Sequence, residues 1–426
     1  MAASDLQRLP GFRDFPPEDF GFRNRIFESW RRVALRYGFS EYDGPPLEPL
    51  DLYVEKSGDE IVEQLYGFTD KGGRDVALRP EMTPSLARIL GARSRGMSKP
   101  IRWFSIPQLF RYERQQRGRL REHFQWNVDI VGEAGVAADA EVLAVGIDGL
   151  RDLGLTHADF VARVSDRRLL TSVLEAVGVR EGALGAAFQI VDKVERDPHD
   201  RTIARLQEEA GLDEAAAVHL LETLEFGLEA VADRFGGRDD VGAKLEPLRE
   251  YVELLGFMGL GDYVQVDLKI VRGLAYYTGI VFELFDRKGQ LRAICGGGRY
   301  DRLLELVGGE SLPAVGFGMG DVVLGELLTD RGLRPDTSKR IDYFVVSVTD
   351  DERRDALGIA QRLRARGHSV AYALRGQGVG KQLKAAGREG AIEALIVGPD
   401  ELARGAVTAR RLSDGTEREI RIEELD

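Results

Sequence analysis

The sequence has a single cysteine, Cys295, among 426 residues. One cysteine excludes an internal disulfide and any metal site built from several thiolates. No apolar run reaches the length of about 18 residues that a membrane-spanning helix needs, and residues 1–10 lack the apolar centre of a secretory signal. We therefore expect a cytoplasmic protein that does not insert into a membrane.

Positive charge is in deficit, because 71 acidic residues face 59 basic ones and the formal net charge is −12. This balance argues against a protein surface that is covered with nucleic acid. It is still compatible with a local basic groove, because nucleic-acid binding depends on the Lys and Arg residues near the ligand. The P-loop pattern G-x-x-x-x-G-K-[ST] is also absent. With 43% hydrophobic and 31% charged residues, a chain of this length predicts two or three globular domains.

A local excess of arginine occurs in residues 110–132, FRYERQQRGRLREHFQWNVDIVG. Both ends alternate as β-strands do, and the middle is too long for a two-residue turn, so the segment predicts a hairpin with a functional loop. Crowded guanidinium groups repel each other, and each matches phosphate oxygens. A phosphorylated ligand is the favoured explanation, and a solvated basic turn is the alternative. The arginines of the loop are Arg111, Arg114, Arg117, Arg119 and Arg121.

Acidic residues accompany these arginines. Glu113 and Asp129 flank the loop, which indicates a ligand that also carries positive charge or a metal ion. Another acid, Glu81, precedes a predicted helix for which Thr83 would be the N-cap.

Alternating strand patterns lie on both sides of Arg272, and two tyrosines, Tyr276 and Tyr277, follow it. Packing between strands is the alternative to a binding role for these tyrosines. Two glycine clusters, 296–298 and 316–320, each precede a predicted helix. Glycine lets the backbone approach a flat ligand closely, although turns and bulges use it as well.

The hairpin resembles motif 2 of class II aminoacyl-tRNA synthetases, and its form FRYER…GRLREHFQWNVDI is similar to that of histidyl-tRNA synthetases. The peptide VRGLAYYTGIVFE (271–283) resembles the signature that separates histidyl-tRNA synthetases from other class II enzymes. Residues 18–49, a helix followed by glycine, a strand and prolines, resemble motif 1, which forms the dimer interface in that class. The segments RGLAYY and GFGMGD are similar to those of a plant-organelle-like subgroup.

The resemblance implies an α+β class II catalytic domain over residues 1–328, with an antiparallel sheet flanked by helices. It also implies an inserted helical subdomain at about 182–260. Residues 329–340 are polar and rich in turn residues, which predicts a linker. Residues 341–426 alternate strand and helix, which predicts an α/β domain with a parallel sheet, and they resemble the anticodon-binding domain of the family.

The function that the resemblance implies is that of a histidine–tRNA ligase. Such an enzyme activates L-histidine with ATP to histidyl-adenylate and pyrophosphate, and then transfers histidine to the 3′ end of tRNA(His). ATP implies Mg²⁺ as its companion ion, and motif 1 implies a homodimer. No metal ligand is predicted among the side chains of the protein.

The resemblance also implies the site residues. In the family the first hairpin arginine, here Arg111, holds the α-phosphate of ATP, and the signature arginine, here Arg272, contacts both that phosphate and the histidine carboxylate. These two are the expected catalytic residues. The residues expected to bind histidine are Glu81 and Thr83 at the α-amino group, Asp129 and Tyr277 at the imidazole, and Gln125 and Tyr276. The residues expected to bind ATP are Arg111, Glu113, Arg119, Arg121, Gly318 and Gly320.

The sequence departs from the family pattern at three positions. Ala275 replaces the usual aspartate, Gln115 replaces the usual proline, and Val323 replaces the arginine of motif 3. In class II enzymes that arginine holds the γ-phosphate, so Arg119, Arg121 or magnesium is expected to compensate. Two alternatives remain: a histidine-binding regulatory paralogue, like the regulatory subunit of ATP phosphoribosyltransferase, and a pseudo-synthetase sensor. Paralogues of the first kind usually lack the C-terminal domain and the motif 2 arginines, which are both present here.

Overall fold

The computed structural model describes residues 7–54, 64–225, 227–235, 237–272, 276–302, 305, 311–335 and 340–425. The chain divides into two compact units, Met1–Pro335 and Asp336–Asp426. Ala275, one of the three departures from the family pattern, lies outside the described residues. Among the described helices, none has the length and apolar character needed to cross a membrane.

The first unit is a mixture of strands and helices. Its strands are β1 (Ser40–Glu41), β2 (Leu47–Pro49), β3 (Tyr66–Thr69), β4 (Asp75–Leu78), β5 (Ile101–Ser105), β6 (Gln108–Phe110), β7 (Glu122–Val131), β8 (Phe160–Asp166), β9 (Val264–Val266), β10 (Ile280–Asp286), β11 (Cys295–Arg299) and β12 (Ala314–Gly320). Its helices are α1 (Pro17–Arg36), α2 (Asp51–Val54), α3 (Thr83–Arg93), α4 (Val136–Arg151), α5 (Arg167–Ala176), α6 (Leu184–Val191), α7 (His199–Ala210), α8 (Glu214–Leu224), α9 (Leu228–Phe235), α10 (Asp239–Phe257) and α11 (Asp321–Asp330).

A nine-stranded sheet forms the centre of this unit, in the order β1-β5-β7-β12-β11-β10-β8-β9, with β6 paired to β7. Neighbouring strands from β5 to β8 are antiparallel, whereas the outer pairs β1–β5 and β8–β9 are parallel. The predicted antiparallel sheet flanked by helices is therefore confirmed. A separate three-stranded sheet, β2-β4-β3, leads directly into the segment that carries Glu81.

Aromatic rings fill the space between α1 and the central sheet. Trp30 stacks on Trp126 of β7 with ring centroids 5.8 Å apart, and Phe317 of β12 meets Trp126 edge-on at 5.2 Å. The same buried cluster continues into helices α6 to α10, for example at Leu248. These helices occupy the segment 182–260, for which an insertion is predicted, and they share the hydrophobic core of the sheet.

The second unit contains a five-stranded sheet in the order β14-β13-β15-β16-β17. Strands β14, β13 and β15 pair in parallel, as predicted. Strand β16 pairs antiparallel with β15, and β17 pairs antiparallel with β16, so the parallel prediction is wrong for these two strands. A hairpin that turns near Gly415 (φ 74) joins β16 to β17 in place of a crossover. The elements are β13 (Ile341–Ser347), α12 (Arg353–Ala365), β14 (Val370–Tyr372), α13 (Val379–Arg388), β15 (Ala391–Val397), α14 (Pro399–Ala403), β16 (Ala406–Arg411) and β17 (Glu417–Arg421).

Candidate active site

Strand β7 supplies one wall of the candidate site through simple alternation. Successive side chains of a strand point to opposite faces, so Trp126 and Val128 lie in the hydrophobic core. The alternate residues are polar, and they line two adjoining cavities on the other face. These residues are His123, Gln125, Asn127 and Asp129.

Glycines on the neighbouring strands keep the middle of the sheet open. Asn127 of β7 lies opposite Gly318 of β12, and Gly318 lies opposite Gly296 of β11. Asp129 lies opposite Gly316 in the same way. A β-carbon at Gly316 would lie 2.2 Å from Oδ1 of Asp129, which is too close for any side chain. The two glycine clusters therefore form a trough across the sheet.

Two cavities lie above this trough, with volumes of about 780 Å³ and about 70 Å³. They share part of their walls, and the shared part includes both arginines that are predicted to be catalytic. A ligand in one cavity can therefore meet a ligand in the other beside two cations. The residues that line both cavities are Arg111, Gln125, Arg272, Gly296 and Gly318.

The smaller cavity brings together all the residues predicted to bind histidine. They come from three separate places in the chain: the turn between β4 and α3, strand β7, and the segment that follows Arg272. Two of their acidic side chains, Glu81 and Asp129, are buried and only 5% exposed. The residues in question are Glu81, Thr83, Gln125, Asp129, Tyr276 and Tyr277.

Asp129 is strongly affected by its surroundings. Burial raises the pKa of its carboxyl group to about 7, although a hydrogen bond from the hydroxyl of Tyr300 opposes that shift. The carboxyl group therefore exchanges its proton near neutral pH. Tyr300 also lines the smaller cavity, and the sequence analysis passed over it. The available signal was its position in GGGRYD, directly after the last residue of β11.

Arg272 reaches the shared wall from a left-handed backbone conformation, with φ 53, which is costly for residues other than glycine. Arg167 holds this segment, because its Nη1 donates to the carbonyls of Val271 at 2.8 Å and Arg272 at 3.0 Å. Nη1 of Arg272 donates to Oε1 of Glu283 at 2.7 Å. Its Nε is buried without a hydrogen-bond partner among the described residues, so a ligand oxygen would satisfy it.

Arg111 is anchored differently. Its Nε donates to the carbonyl oxygen of Pro80 at 2.9 Å, which orients the guanidinium and leaves its two terminal nitrogens for a ligand. The neighbouring Glu113 lines the larger cavity and accepts a hydrogen bond from Nη2 of Arg119 at 2.5 Å. The structure thus places the first residues of the predicted ATP site together.

The remaining residues predicted to bind ATP divide into two groups. Gly318 and Gly320 line the larger cavity, as Arg119 does. Arg121 lines neither cavity; instead its guanidinium stacks on the ring of Tyr112 at 4.1 Å. Nε of Arg121 also donates to the carbonyl oxygen of Glu113 at 3.2 Å. Arg121 therefore lies beside a predicted ATP-binding residue, but its side chain does not line the cavity.

His123 lines the larger cavity, and the sequence analysis did not single it out. Burial lowers the pKa of its imidazole to about 3, and the positive charge of Arg111 adds to that effect. The ring is therefore neutral at pH 7 and offers a flat, uncharged surface. Its spacing of two residues from Gln125 on β7 was a signal that could have found it.

The side chains of the larger cavity suit a metal ion that arrives with phosphate. Within the described ranges, no three His, Cys, Asp or Glu side chains cluster as metal ligands. Magnesium usually keeps several waters and binds one or two carboxylates together with phosphate oxygens. Glu113 and Glu283 are carboxylates of this cavity that lie beside arginines, so the donor set fits magnesium bound to a nucleotide.

Comparisons with known proteins find similar proteins over almost the whole chain. A family model described as histidyl-tRNA synthetase matches residues 11–320, and one described as anticodon binding domain matches residues 342–426. A relative from Opitutus terrae, named histidine–tRNA ligase, is 47% identical over 424 residues, which cover 99% of this chain and 97% of the relative. The chloroplastic/mitochondrial histidine–tRNA ligase of Arabidopsis thaliana is 41% identical over 423 residues, 99% of this chain and 86% of its own.

Solved structures share the fold. The histidyl-tRNA synthetase of Nostoc sp. PCC 7120 superimposes with a TM-score of 0.83 at 24% identity, covering 99% of this chain and 98% of its own. A Bacillus halodurans protein, described as an ATP phosphoribosyltransferase regulatory subunit/histidyl-tRNA synthetase, gives a TM-score of 0.76 at 22% identity, covering 92% and 98%. At such identities the likeness concerns the fold alone.

Proposed function

The chain belongs to the histidyl-tRNA synthetase family, and from this premise we propose how its two cavities perform the reaction of a histidine–tRNA ligase. The class II fold with a C-terminal anticodon-binding domain, predicted from the sequence, is confirmed. The predicted ligase activity is confirmed too, since relatives that match almost the entire chain are named histidine–tRNA ligases. For the same reason a regulatory, non-ligating paralogue is not favoured.

The main support for the proposed mechanism is the position of Arg111 and Arg272, which both line the wall that the two cavities share. Histidine in the smaller cavity and ATP in the larger one would bring a carboxylate to the α-phosphate at this wall. The carboxylate oxygen bonds to phosphorus while pyrophosphate leaves, and the two cations stabilise the crowded negative charge. The carboxylate is already ionised, so positioning and charge stabilisation suffice without a general base.

Histidine is recognised through both of its polar ends. Glu81 provides the counter-charge for the α-ammonium group, and the hydroxyl of Thr83 provides a further acceptor. The imidazole needs one partner for each ring nitrogen, and Asp129 and Tyr277 take these roles. Other amino acids are rejected when their side chains cannot form hydrogen bonds with these buried polar groups of the protein, because the groups would then be left without partners.

ATP occupies the larger cavity, with its phosphates near Arg111 and Arg119. Gly318 and Gly320 have no side chains, so the nucleoside can lie against the backbone of β12. Mg²⁺, when present, would supply positive charge that offsets the charge of the phosphate groups. Glu113 and Glu283 are the residues that would hold the ion.

The second half-reaction transfers histidine to the 3′ end of tRNA(His). The second unit of the chain matches an anticodon-binding domain, and it is the part that would bind the anticodon of the tRNA. Assembly as a homodimer and location in the cytoplasm complete the proposal. These statements rest on family membership.

Histidine-dependent exchange of labelled pyrophosphate into ATP, measured without tRNA, tests the proposal. The wild-type protein should catalyse exchange with histidine as the amino acid. Glu81→Gln keeps the shape of the side chain but removes its charge, and it should raise the KM for histidine by about 10- to 100-fold, with the KM for ATP unchanged. A folded wild-type protein that binds histidine but shows no exchange would refute the ligase mechanism and favour the sensor. An unchanged histidine KM in Glu81→Gln would refute the role of Glu81.

Gly296→Ala is expected to inactivate the site by displacing Arg272. The new β-carbon would lie 1.5 Å from Nη1 and 2.4 Å from Cζ of Arg272, and the guanidinium is the group that can move. A misplacement of about 1 Å can cost about 100-fold in rate, so the kcat of exchange should fall by that order while the melting temperature changes little. Gly256→Ala in α10 is the control, because no atom lies within 4 Å of its added β-carbon. Full activity of Gly296→Ala would show that Arg272 acts from another position.

A further inference from the structure

The larger cavity has an apolar surface where the arginine-rich loop meets α11. The N–H of Gly118 in that loop donates to Oε1 of Glu326 at 3.0 Å, which holds the loop against the helix. The first turn of α11 contributes Val322 and Val323 to the lining. Cγ2 of Val323 would lie 3.1 Å from a β-carbon at Gly118. A triphosphate at this end of the cavity therefore obtains no cation from the first turn of the helix.

Arg292 reaches the same place from the connection between β10 and β11. Its Cγ and Cδ would each lie 3.9 Å from the β-carbon at Gly118 that Val323 also approaches. The side chains of Arg292 and Val323 therefore pack beside one point of the loop, although the two residues come from different elements. Arg292 itself lines the larger cavity.

Arg292 also lacks the acidic hydrogen-bond partner that two other arginines of the cavity have. Arg119 pairs with Glu113, and Arg272 pairs with Glu283. Arg292 has no hydrogen bond or ion pair to any residue in the described part of the chain. The side chain of Arg292 is exposed, yet partial desolvation lowers the pKa of its guanidinium. The charge of Arg119 lowers this pKa further, and the charge of Glu113 acts in the opposite direction. An anion bound beside Arg292 would relieve this unfavourable interaction.

We propose that Arg292 binds the outer phosphates of ATP and so supplies the cation that position 323 does not. This inference rests on the proposed function, because it concerns the same ATP site. Arg119 and Arg121 were the arginines expected to compensate for Val323, but Arg119 is paired with Glu113 and Arg121 lines neither cavity. The guanidinium of Arg292 can donate two hydrogen bonds to one phosphate group.

Binding of ATP and of AMP, measured by titration calorimetry without histidine, separates the outer phosphates from the rest of the nucleotide. In Arg292→Ala the affinity for ATP should fall by about 10- to 100-fold, while the affinity for AMP stays unchanged. Arg292→Lys should recover part of the loss. Lys288→Ala removes a cation from the same connection, outside both linings, and should bind ATP like the wild type. In pyrophosphate exchange, Arg292→Ala should raise the KM for ATP and leave that for histidine unchanged.

Two results would overturn the proposal: an unchanged affinity of Arg292→Ala for ATP, or an equal loss for ATP and AMP. The second result would place Arg292 at the α-phosphate or in the folding of the site, and thermal melting of the variant distinguishes these two. If the wild type shows no histidine-dependent exchange, the ligase mechanism fails. The ratio of ATP affinity to AMP affinity still decides the role of Arg292 in that case.

Discussion

Replacing Arg272 with alanine should lower the kcat of histidine-dependent pyrophosphate exchange by about 10³-fold. Arg272 lines both cavities, and its Nε is buried without a partner in the described ranges. Its guanidinium is therefore placed to contact the histidine carboxylate and the α-phosphate together. Such contacts are stronger in the transition state than in either substrate, so the loss should appear mainly in kcat. Steady-state exchange with each substrate varied in turn measures it.

Arg272→Lys is the informative companion variant. Lysine keeps the charge but lacks the planar fork of N–H donors that can bridge two anions. It should therefore recover only part of the lost rate. The wild type, Arg272→Ala and Arg272→Lys all need the left-handed backbone at residue 272. The comparison of their rates therefore isolates the effect of the side chain. An alanine variant within about tenfold of wild type, a difference of only about 1.4 kcal/mol in the barrier, would exclude the proposed charge stabilisation.

Replacing Arg111 with alanine should reduce the same kcat by about 10²- to 10³-fold. The hydrogen bond from its Nε to Pro80 fixes the guanidinium at the shared wall. A preorganised cation of this kind stabilises developing charge without the cost of reorienting solvent. The KM for ATP should also rise, because Arg111 contacts the α-phosphate before the reaction.

Arg117→Ala provides a matched control on the same loop. Arg117 is 60% exposed at its side chain and pairs with Glu326 and Asp330 of α11 at 3.0 Å and 3.3 Å. Exposed ion pairs contribute little, and Arg117 lines neither the larger nor the smaller site cavity. Its exchange activity should stay within about twofold of wild type. Equal losses in the two variants would mean that the charge of the whole loop matters, rather than Arg111 in particular.

Much of the site was predictable because its sequence patterns are local. Strand, arginine-rich loop and strand follow one another in a single segment, and the acid with its threonine lies in one short turn. Each of the residues predicted to bind histidine lies around one cavity, as the resemblance implies, while their roles as ligands stay predictions. Arg121 belongs to the same local pattern, but its guanidinium stacks on the ring of Tyr112. The sequence pattern does not show this contact.

The residues that the sequence did not single out depend on distant contacts. The proposed role of Arg292 depends on its position beside Gly118 and Val323. These two residues belong to a loop and a helix that are far from Arg292 in the sequence. Tyr300 becomes part of the smaller cavity through its hydrogen bond to Asp129. Neither relation leaves a periodic signal along the sequence, since burial and charge pairing arise only when separate elements pack together.

The sequence by itself determined the family, the class of reaction and the face on which each residue of β7 lies, because a strand alternates its side chains with a period of two. Only the tertiary structure decided which strands are neighbours. The pairing of β7 with β12, and of β12 with β11, sets Asp129 and Asn127 opposite glycines and opens the trough. Hydrogen bonds between strands join residues that are far apart in sequence, so this register follows from the packing of the whole sheet.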